Sequence, residues 1–210
     1  MRKRPSSETE RVRGIYDRLA PRFDRRIGFW ERILFAGGRE WVCGQAKGDV
    51  LEIAVGTGRN FAFYPPDVRL TGIELSPAML EIARQRAEEL GRTADLREAD
   101  AEALPFEDGS FDTLVCTLSL CSIPDDRRAV AEARRVLRPS GAFLLLEHVR
   151  SPNPLVRAGQ RLVEPINARL EGDHLLREPV EHLRDEGFEI EHLERSKAGF
   201  VERVRARKPA

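Results

Sequence analysis

The 210-residue sequence carries 35 basic and 35 acidic side chains, so its formal net charge is zero. With no long block of one sign it lacks the electrostatic footprint of a nucleic-acid binder, and no nucleic-acid partner is expected. Hydrophobic residues make up 41% and charged residues 33%, which allows one buried core under a heavily ionised surface.

Cys43, Cys116 and Cys121 are odd in number and lack metal-ligand spacing. They argue against a disulfide framework or zinc site, so no metal is expected, and they point to a reducing compartment. The start, Met1 to Pro5, is basic but runs into polar residues, and no stretch of about 18 apolar residues occurs. We therefore expect neither a secretion signal nor a transmembrane span, and a cytoplasmic location. Peripheral membrane contact, a monomer and a homodimer are all compatible with the sequence.

Residues 1–8 are expected to be disordered and the basic end, Arg205 to Ala210, to fray, with a single domain over 9–207. Two helical segments open it, about 9–19 and 24–46, the second with Ile27, Trp30, Ile33, Leu34, Trp41 and Val42 at roughly helical spacing. From Asp49 the pattern alternates. Strands are predicted at 50–55, 70–74, 94–98, 111–117 and 141–149. Ser76-Pro77 opens a helix, as N-cap and first-turn proline, that Gly91 stops, and another helix covers 125–137. A proline-punctuated insertion, 151–177, precedes a helix at 178–186. Two last strands, 188–195 and 200–207, are close enough to pair as a hairpin. The prediction is an α/β fold: a doubly wound, seven-stranded, mostly parallel sheet with an antiparallel last strand, preceded by lid helices over 9–46.

In such a sheet the ligand crevice lies beyond the carboxyl ends of the strands. After the first strand comes Glu52-Ile53-Ala54-Val55-Gly56-Thr57-Gly58, whose small residues admit a ligand to free backbone amides. Glu74 ends the second strand, 16 residues after Gly58, where a carboxylate can accept two hydrogen bonds from a ribose diol. Asp100 and Ala101 follow the third strand, suited to an adenine amine and ring. Thr117 tips the fourth strand. A dinucleotide fingerprint would place glycine at 61, where this chain has Phe61. S-adenosylmethionine (SAM) has no pyrophosphate and tolerates that difference.

Read in order, VLEIAVGTG (50–58), GIELSP (72–77), ADAEALPFEDGSFD (99–112) and RRVLRPSGAFLLLEHV (134–149) resemble the successive motifs of class I SAM-dependent methyltransferases. The resemblance spans most of the chain and implies a Rossmann-like methyltransferase with SAM as cofactor. It gives Glu52 as the acidic residue of strand one, Glu74 as the ribose ligand and Leu75, Asp100 and Ala101 as adenine contacts. Ala54, Gly56, Thr57, Gly58, Met79, Thr117, Leu118 and Ser122 complete the expected cofactor surface, with Tyr16 of the lid closing over the amino acid end. Ala54 stands where glycine is more usual.

A closer likeness lies in NFAFYPP (60–66), VCTLSLCSIP (115–124), LLEHVRSP (145–152), QRLVEP (160–165) and GDHLLRE (172–178), which look like the branch containing the alkyl-thiol methyltransferases of animals and their bacterial relatives. It implies S-methylation of a small thiol. Asp173 stands where those animal proteins typically have cysteine. Bacterial phospholipid N-methyltransferases and quinone C-methyltransferases share the same core motifs.

Methyl transfer from a sulfonium is an in-line displacement, helped chiefly by positioning in a dry cleft. A thiol acceptor must also lose its proton, so a base or a positive field is sought near it. His148 or Glu147 must face the cleft by strand alternation. Asp173 and His174 are an adjacent acid and imidazole in the insertion, a poised pair if both face inward. His148, Asp173 and His174 are the catalytic candidates, and Cys121 marks where the methyl should sit. His182 and His192 look exposed and are assigned no role.

Overall fold

Strand alternation sorts the apolar residues onto two faces, and a computed structural model, which describes residues 7–210, places helices on both. The start of the segment expected to be disordered, 1–6, lies outside the described residues. Ser7 and Glu8, also in that segment, belong to helix α1 (Ser7–Leu19).

The sheet contains β1 (Asp49–Ile53), β2 (Arg69–Glu74), β3 (Ala94–Glu98), β4 (Phe111–Thr117), β5 (Leu137–His148), β6 (Glu189–Ser196) and β7 (Val201–Arg207), in the order β3-β2-β1-β4-β5-β7-β6. β7 runs antiparallel to both β5 and β6, and the other pairings are parallel. The predicted reversed last strand is therefore present, inserted between β5 and β6. Leu51, Ile53, Leu114, Phe143 and Leu145 pack on one face with α5 (Asp126–Val136) and α7 (Pro179–Asp185). Val50, Val115, Leu144 and Leu146 pack on the other with α3 (Gly38–Cys43) and α4 (Pro77–Glu89), as a period of two requires.

Ser76 caps α4 by accepting from the Met79 amide at 3.2 Å, with Pro77 in the first turn, as the sequence indicates. Three expectations change. The helix expected over 24–46 is two: α2 (Phe23–Leu34) ends before Gly37, whose φ of 70° is left-handed, and α3 starts at Gly38. A side chain at Gly38 would come within 2.8 Å of Leu146, so the chain must turn there to press α3 onto β5. The basic end does not fray. Arg205 to Arg207 belong to β7, Lys208 exchanges backbone hydrogen bonds with Ser140 and Gly141, and its Nζ donates to the carbonyls of Arg134 (2.8 Å) and Leu137 (2.6 Å).

The insertion, read as proline-punctuated, contains a 17-residue helix, α6 (Pro154–Leu170). Pro154 sits at its first turn, and Asn153 Oδ1 accepts from the Leu155 amide at 2.9 Å. Pro165 lies inside the helix. The insertion is stapled down by polar groups. Gln160 is buried, accepts from the Ser151 amide at 2.9 Å and donates to the carbonyls of Val149 (2.9 Å) and Leu175 (2.7 Å). Substituting Gln160→Leu keeps the volume but strands two buried backbone groups and a third, at Leu175, that is part-buried. We expect a loss of at least about 2 kcal/mol in unfolding free energy, measured by urea denaturation.

Candidate active site

The tips of β1 and β4 diverge at the switch in strand order, and a cavity of about 490 Å³ opens there. Both tips hold a non-glycine residue in the left-handed region, Ala54 (φ 53°) and Leu118 (φ 53°). An L-residue there costs roughly 1–2 kcal/mol, strain of the kind that collects at functional sites. Ala54, Val55, Gly56 and Thr57 form one wall, and Thr117, Leu118, Ser119 and Ser122 the facing one.

Glu74, Leu75, Met79, Asp100 and Ala101 line the same cavity, as does Tyr16 from α1. The buried Glu74 carboxylate accepts from the Gly56 amide through Oε2 and the Ser76 amide through Oε1, each at 2.9 Å. Burial raises its pKa while these amides oppose the shift. Each oxygen keeps a second lone pair for a ligand hydroxyl. A Cβ at Gly56 would meet nothing within 4 Å, so space is open directly above that turn. Acidic groups at Glu74 and Asp100, apolar Leu75 and Met79, and an open small-residue loop fit an adenosine with a charged tail.

Two expected cofactor residues stand outside the cavity wall. Glu52 is buried beneath the loop, accepting from Asn60 Nδ2 and the Tyr64 hydroxyl, each at 2.8 Å. Burial pushes its carboxyl up to about 7. Gly58 turns the loop at φ 77°, so close over Phe61 that a Cβ would lie 2.6 Å from the ring. Phe61, which displaces the third glycine of a dinucleotide site, is thus the floor of the loop. Thr117 does line the cavity, with its hydroxyl already accepting from Arg39 Nη1 (2.8 Å) and Asn60 Nδ2 (2.9 Å).

Sequence reasoning missed the polar groups that the N-terminal helices bring. Arg39 of α3 and Arg59 line the cavity, and Glu31 of α2 pairs with both. Asp24 accepts from the Thr57 hydroxyl at 2.6 Å and pairs with Arg86, while Asp17 accepts from the Ser76 hydroxyl at 2.6 Å. These aspartates tie α1 and α2 to the loop after β1 and to the start of α4. They carry no local motif, since each pairs with a residue tens of positions away.

At the other end, strand alternation turns His148 into the cavity and Glu147 out of it. The buried Glu147 carboxylate accepts from the amides of Ser119 (2.9 Å) and His148 (3.1 Å), holding the turn after β4. His148 Nε2 lies 3.0 Å from Asp173 Oδ1, and its ring stacks on Phe200 with centroids 5.5 Å apart and an 8° interplanar angle. Asn167 donates to Asp173 Oδ2 at 3.2 Å. Burial, the largest single influence, lowers the His148 pKa, but the facing Asp173 carboxylate together with Glu147 and Glu164 outweighs it and brings the imidazole to about 9.

The expected acid and imidazole pair of the insertion divides. Asp173 faces the cavity, whereas His174 turns away, with Nδ1 3.1 Å from Glu164 Oε1. The sequence neighbours cannot act as one pair, and Asp173 takes its partner from β5. Cys121 also lines the cavity, and one donor atom from each of Cys121, His148 and Asp173 lies within 4.8 Å of the others. Burial beside Asp173 drives the Cys121 thiol well above its usual range, so it stays neutral rather than becoming the thiolate that metals and electrophiles require. His182, expected to be exposed, lies 3.2 Å from Asp126 in a mostly buried contact.

The methyltransferase domain family model matches residues 51–145. The human thiol S-methyltransferase TMT1B is 33% identical over 184 residues, covering 84% of this chain and 75% of that protein. The phosphatidylethanolamine N-methyltransferase of Cereibacter sphaeroides is 38% identical over 118 residues, 55% of this chain and 58% of that one. A SAM-dependent methyltransferase structure from Thermotoga maritima superposes with a TM-score of 0.67 at 23% identity, covering 93% and 99% of the two chains. The chain belongs to the class I SAM-dependent methyltransferase family, and SAM is its cofactor.

Glu74→Ala removes the two lone pairs that the Gly56 and Ser76 amides leave open in the cavity. We expect SAM affinity to fall roughly 10- to 100-fold by calorimetry, with a thermal melt run beside it to register the loss of the two amide contacts. Unchanged affinity would exclude Glu74 as a ligand.

Proposed function

We propose that the enzyme transfers the methyl group of SAM to the sulfur of a small lipophilic thiol, with the His148–Asp173 pair supporting the thiolate. The observation that carries this reading is the buried imidazole facing a carboxylate at 3.0 Å in the wall of a largely apolar cavity. The identity to a thiol S-methyltransferase over most of the chain supports it.

SAM, when bound, supplies an electrophilic methyl on a cationic sulfonium. The residues have three tasks: to orient the acceptor, to exclude water and to keep its sulfur ionised. With its pKa near 9, His148 is an imidazolium at neutral pH and cannot take a proton from the thiol. Its role is electrostatic: in a low-dielectric cavity the cation favours RS⁻ over RSH, and the proton leaves to solvent as the thiol enters. With SAM held by Glu74, Asp100 and the loop of residues 54–57, its sulfonium would supply the methyl to that thiolate, the new S–C bond replacing the sulfonium C–S bond to leave a thioether and S-adenosylhomocysteine. Asp173 keeps the imidazole charged and, through Asn167, in place. Phe200 fixes the ring plane.

The pH dependence has a definite sign. Rate rises with pH as the thiol ionises and falls as pH passes about 9, where the imidazolium is lost. Asp173→Asn removes the main charge that raises the imidazole pKa while leaving the smaller contributions of Glu147 and Glu164 and the burial that lowers it, so the falling limb should move to lower pH. His148→Gln should reduce kcat/KM for thiols roughly 10²- to 10³-fold with SAM affinity retained. The decisive assay offers labelled SAM with alkyl thiols, phosphatidylethanolamine and a quinol. Product from another class and none from thiols would overturn the thiol reading, and an Asp173→Asn profile identical to wild type would remove the imidazolium from it.

A further inference from the structure

Two helices at this cavity are inside out. In α6, the side chains turned toward the protein are Gln160, Glu164 and Asn167, each bonded to the loop that follows. Those turned outward are Leu155 (83% exposed), Leu162 (78%), Val163, Ile166 (62%) and Leu170 (65%). At 100° per residue these five occupy one face. In α2 the buried residue is Glu31, paired with Arg39 and Arg59, while Phe29, Trp30 and Ile33 are exposed. An ordinary surface helix does the reverse. Exposed apolar groups this dense mark an interaction surface.

Charge selects the partner. The acids of these helices are turned inward: Asp24 to Thr57 and Arg86, Glu31 to Arg39 and Arg59, and Glu164 to Leu175 and His174. Arg25, Arg32, Arg161 and Arg169 remain on exposed positions of the same two helices. The surface is therefore apolar and cationic on a chain of zero net charge. Leucine, isoleucine and tryptophan flanked by arginine suit the boundary of an anionic bilayer. A second copy fits worse, because a self-complementary contact would set arginine rims against each other with no outward acid on either helix to answer them.

We propose that α2 and α6 together form a docking surface for an anionic lipid bilayer. Residues of both helices line the cavity, Ile27 and Trp30 from α2 and Asn167 from α6, and Arg26 is paired with Glu171 across the gap between them. The cavity mouth therefore faces the lipid when the protein is docked. No described helix is long and apolar enough to cross a membrane, so the mode is interfacial. An amphiphilic acceptor would enter with its apolar part leading, a consequence that rests on the methyl-transfer reading above, whereas the docking does not.

The test is flotation of the full chain with vesicles of equimolar phosphatidylcholine and phosphatidylglycerol, against vesicles of phosphatidylcholine alone, at low and high salt. Neither turnover nor an acceptor is involved, so its outcome is separable from that of the thiol assay. The protein should float with the anionic vesicles, less with neutral ones and less at high salt. Leu162→Ser/Ile166→Ser and Phe29→Ser/Ile33→Ser should each lower the partition coefficient roughly tenfold or more, while their SAM affinity stays at the wild-type value because none of the four side chains lines the cavity. In the unmodified protein, brominated lipids should quench the exposed Trp30. Absence of flotation and quenching overturns the proposal. So does flotation that ignores both double substitutions, or a stable dimer in sedimentation equilibrium that the same substitutions dissociate without any vesicle binding.

Discussion

The site hangs on a carboxylate buried beneath its loop. Glu52 is buried at the centre of the sheet and carries hydrogen bonds from Asn60 and Tyr64. Asn60 donates onward to Thr117 and accepts from Arg39, and Arg39 reaches Glu31. One connected set of polar groups thus joins β1, the loop above it, the tip of β4, and helices α2 and α3. An acid so deep is costly unless its lone pairs are filled, and filling them leaves the loop of residues 54–64 little freedom to stand elsewhere. Glu74 extends the same logic one strand over, by fixing the amides of Gly56 and Ser76. The open space over Gly56 is what remains once these groups are satisfied.

How much of this was legible depends on how local each signal is. Strand periodicity, the Ser76-Pro77 helix start and the glycine turn each occupy a few consecutive residues, and each stands where the sequence indicates. The cofactor side of the cavity could be assembled from such pieces, because strand ends in an open parallel sheet converge by topology. Helix α6 was hidden for a physical reason. Its apolar residues have helical spacing, but they face solvent, and Pro154 and Pro165 read as breakers although one occupies a first turn. The partner of His148 was hidden by distance. Adjacency favoured Asp173 with His174, yet neighbours on an irregular segment point apart, and the carboxylate is placed by the docking of the insertion onto β5 and the turn after β4.

That docking explains why the two halves of the cavity have different characters. The wall that fits the cofactor is made of strand tips and a loop, stiffened by the sheet's backbone bonds and the Glu52 set. The opposite wall is made of side chains on α1, α2 and the insertion, held by side-chain-to-backbone contacts such as Gln160 to Val149, Arg177 to Ile123 (2.6 Å) and Arg11 to Ala168 (3.1 Å). The relatives include a thiol and a phosphatidylethanolamine methyltransferase, which share the transferred group and differ in its acceptor. The separable half is where acceptors can change without disturbing cofactor binding.

The same division accounts for the inverted helices. Attaching α6 through Gln160, Glu164 and Asn167 spends its polar residues on the protein and leaves its apolar ones outside. The arrangement is poor for a chain that only needs to fold, since apolar area left in water gains nothing from burial. It becomes favourable once something apolar covers that face, and α2 repeats it on the far side of the opening. On the docking proposed above, the area left unburied on folding is the area that the bilayer covers, so the cost left by the polar attachment of α6 is recovered at the membrane.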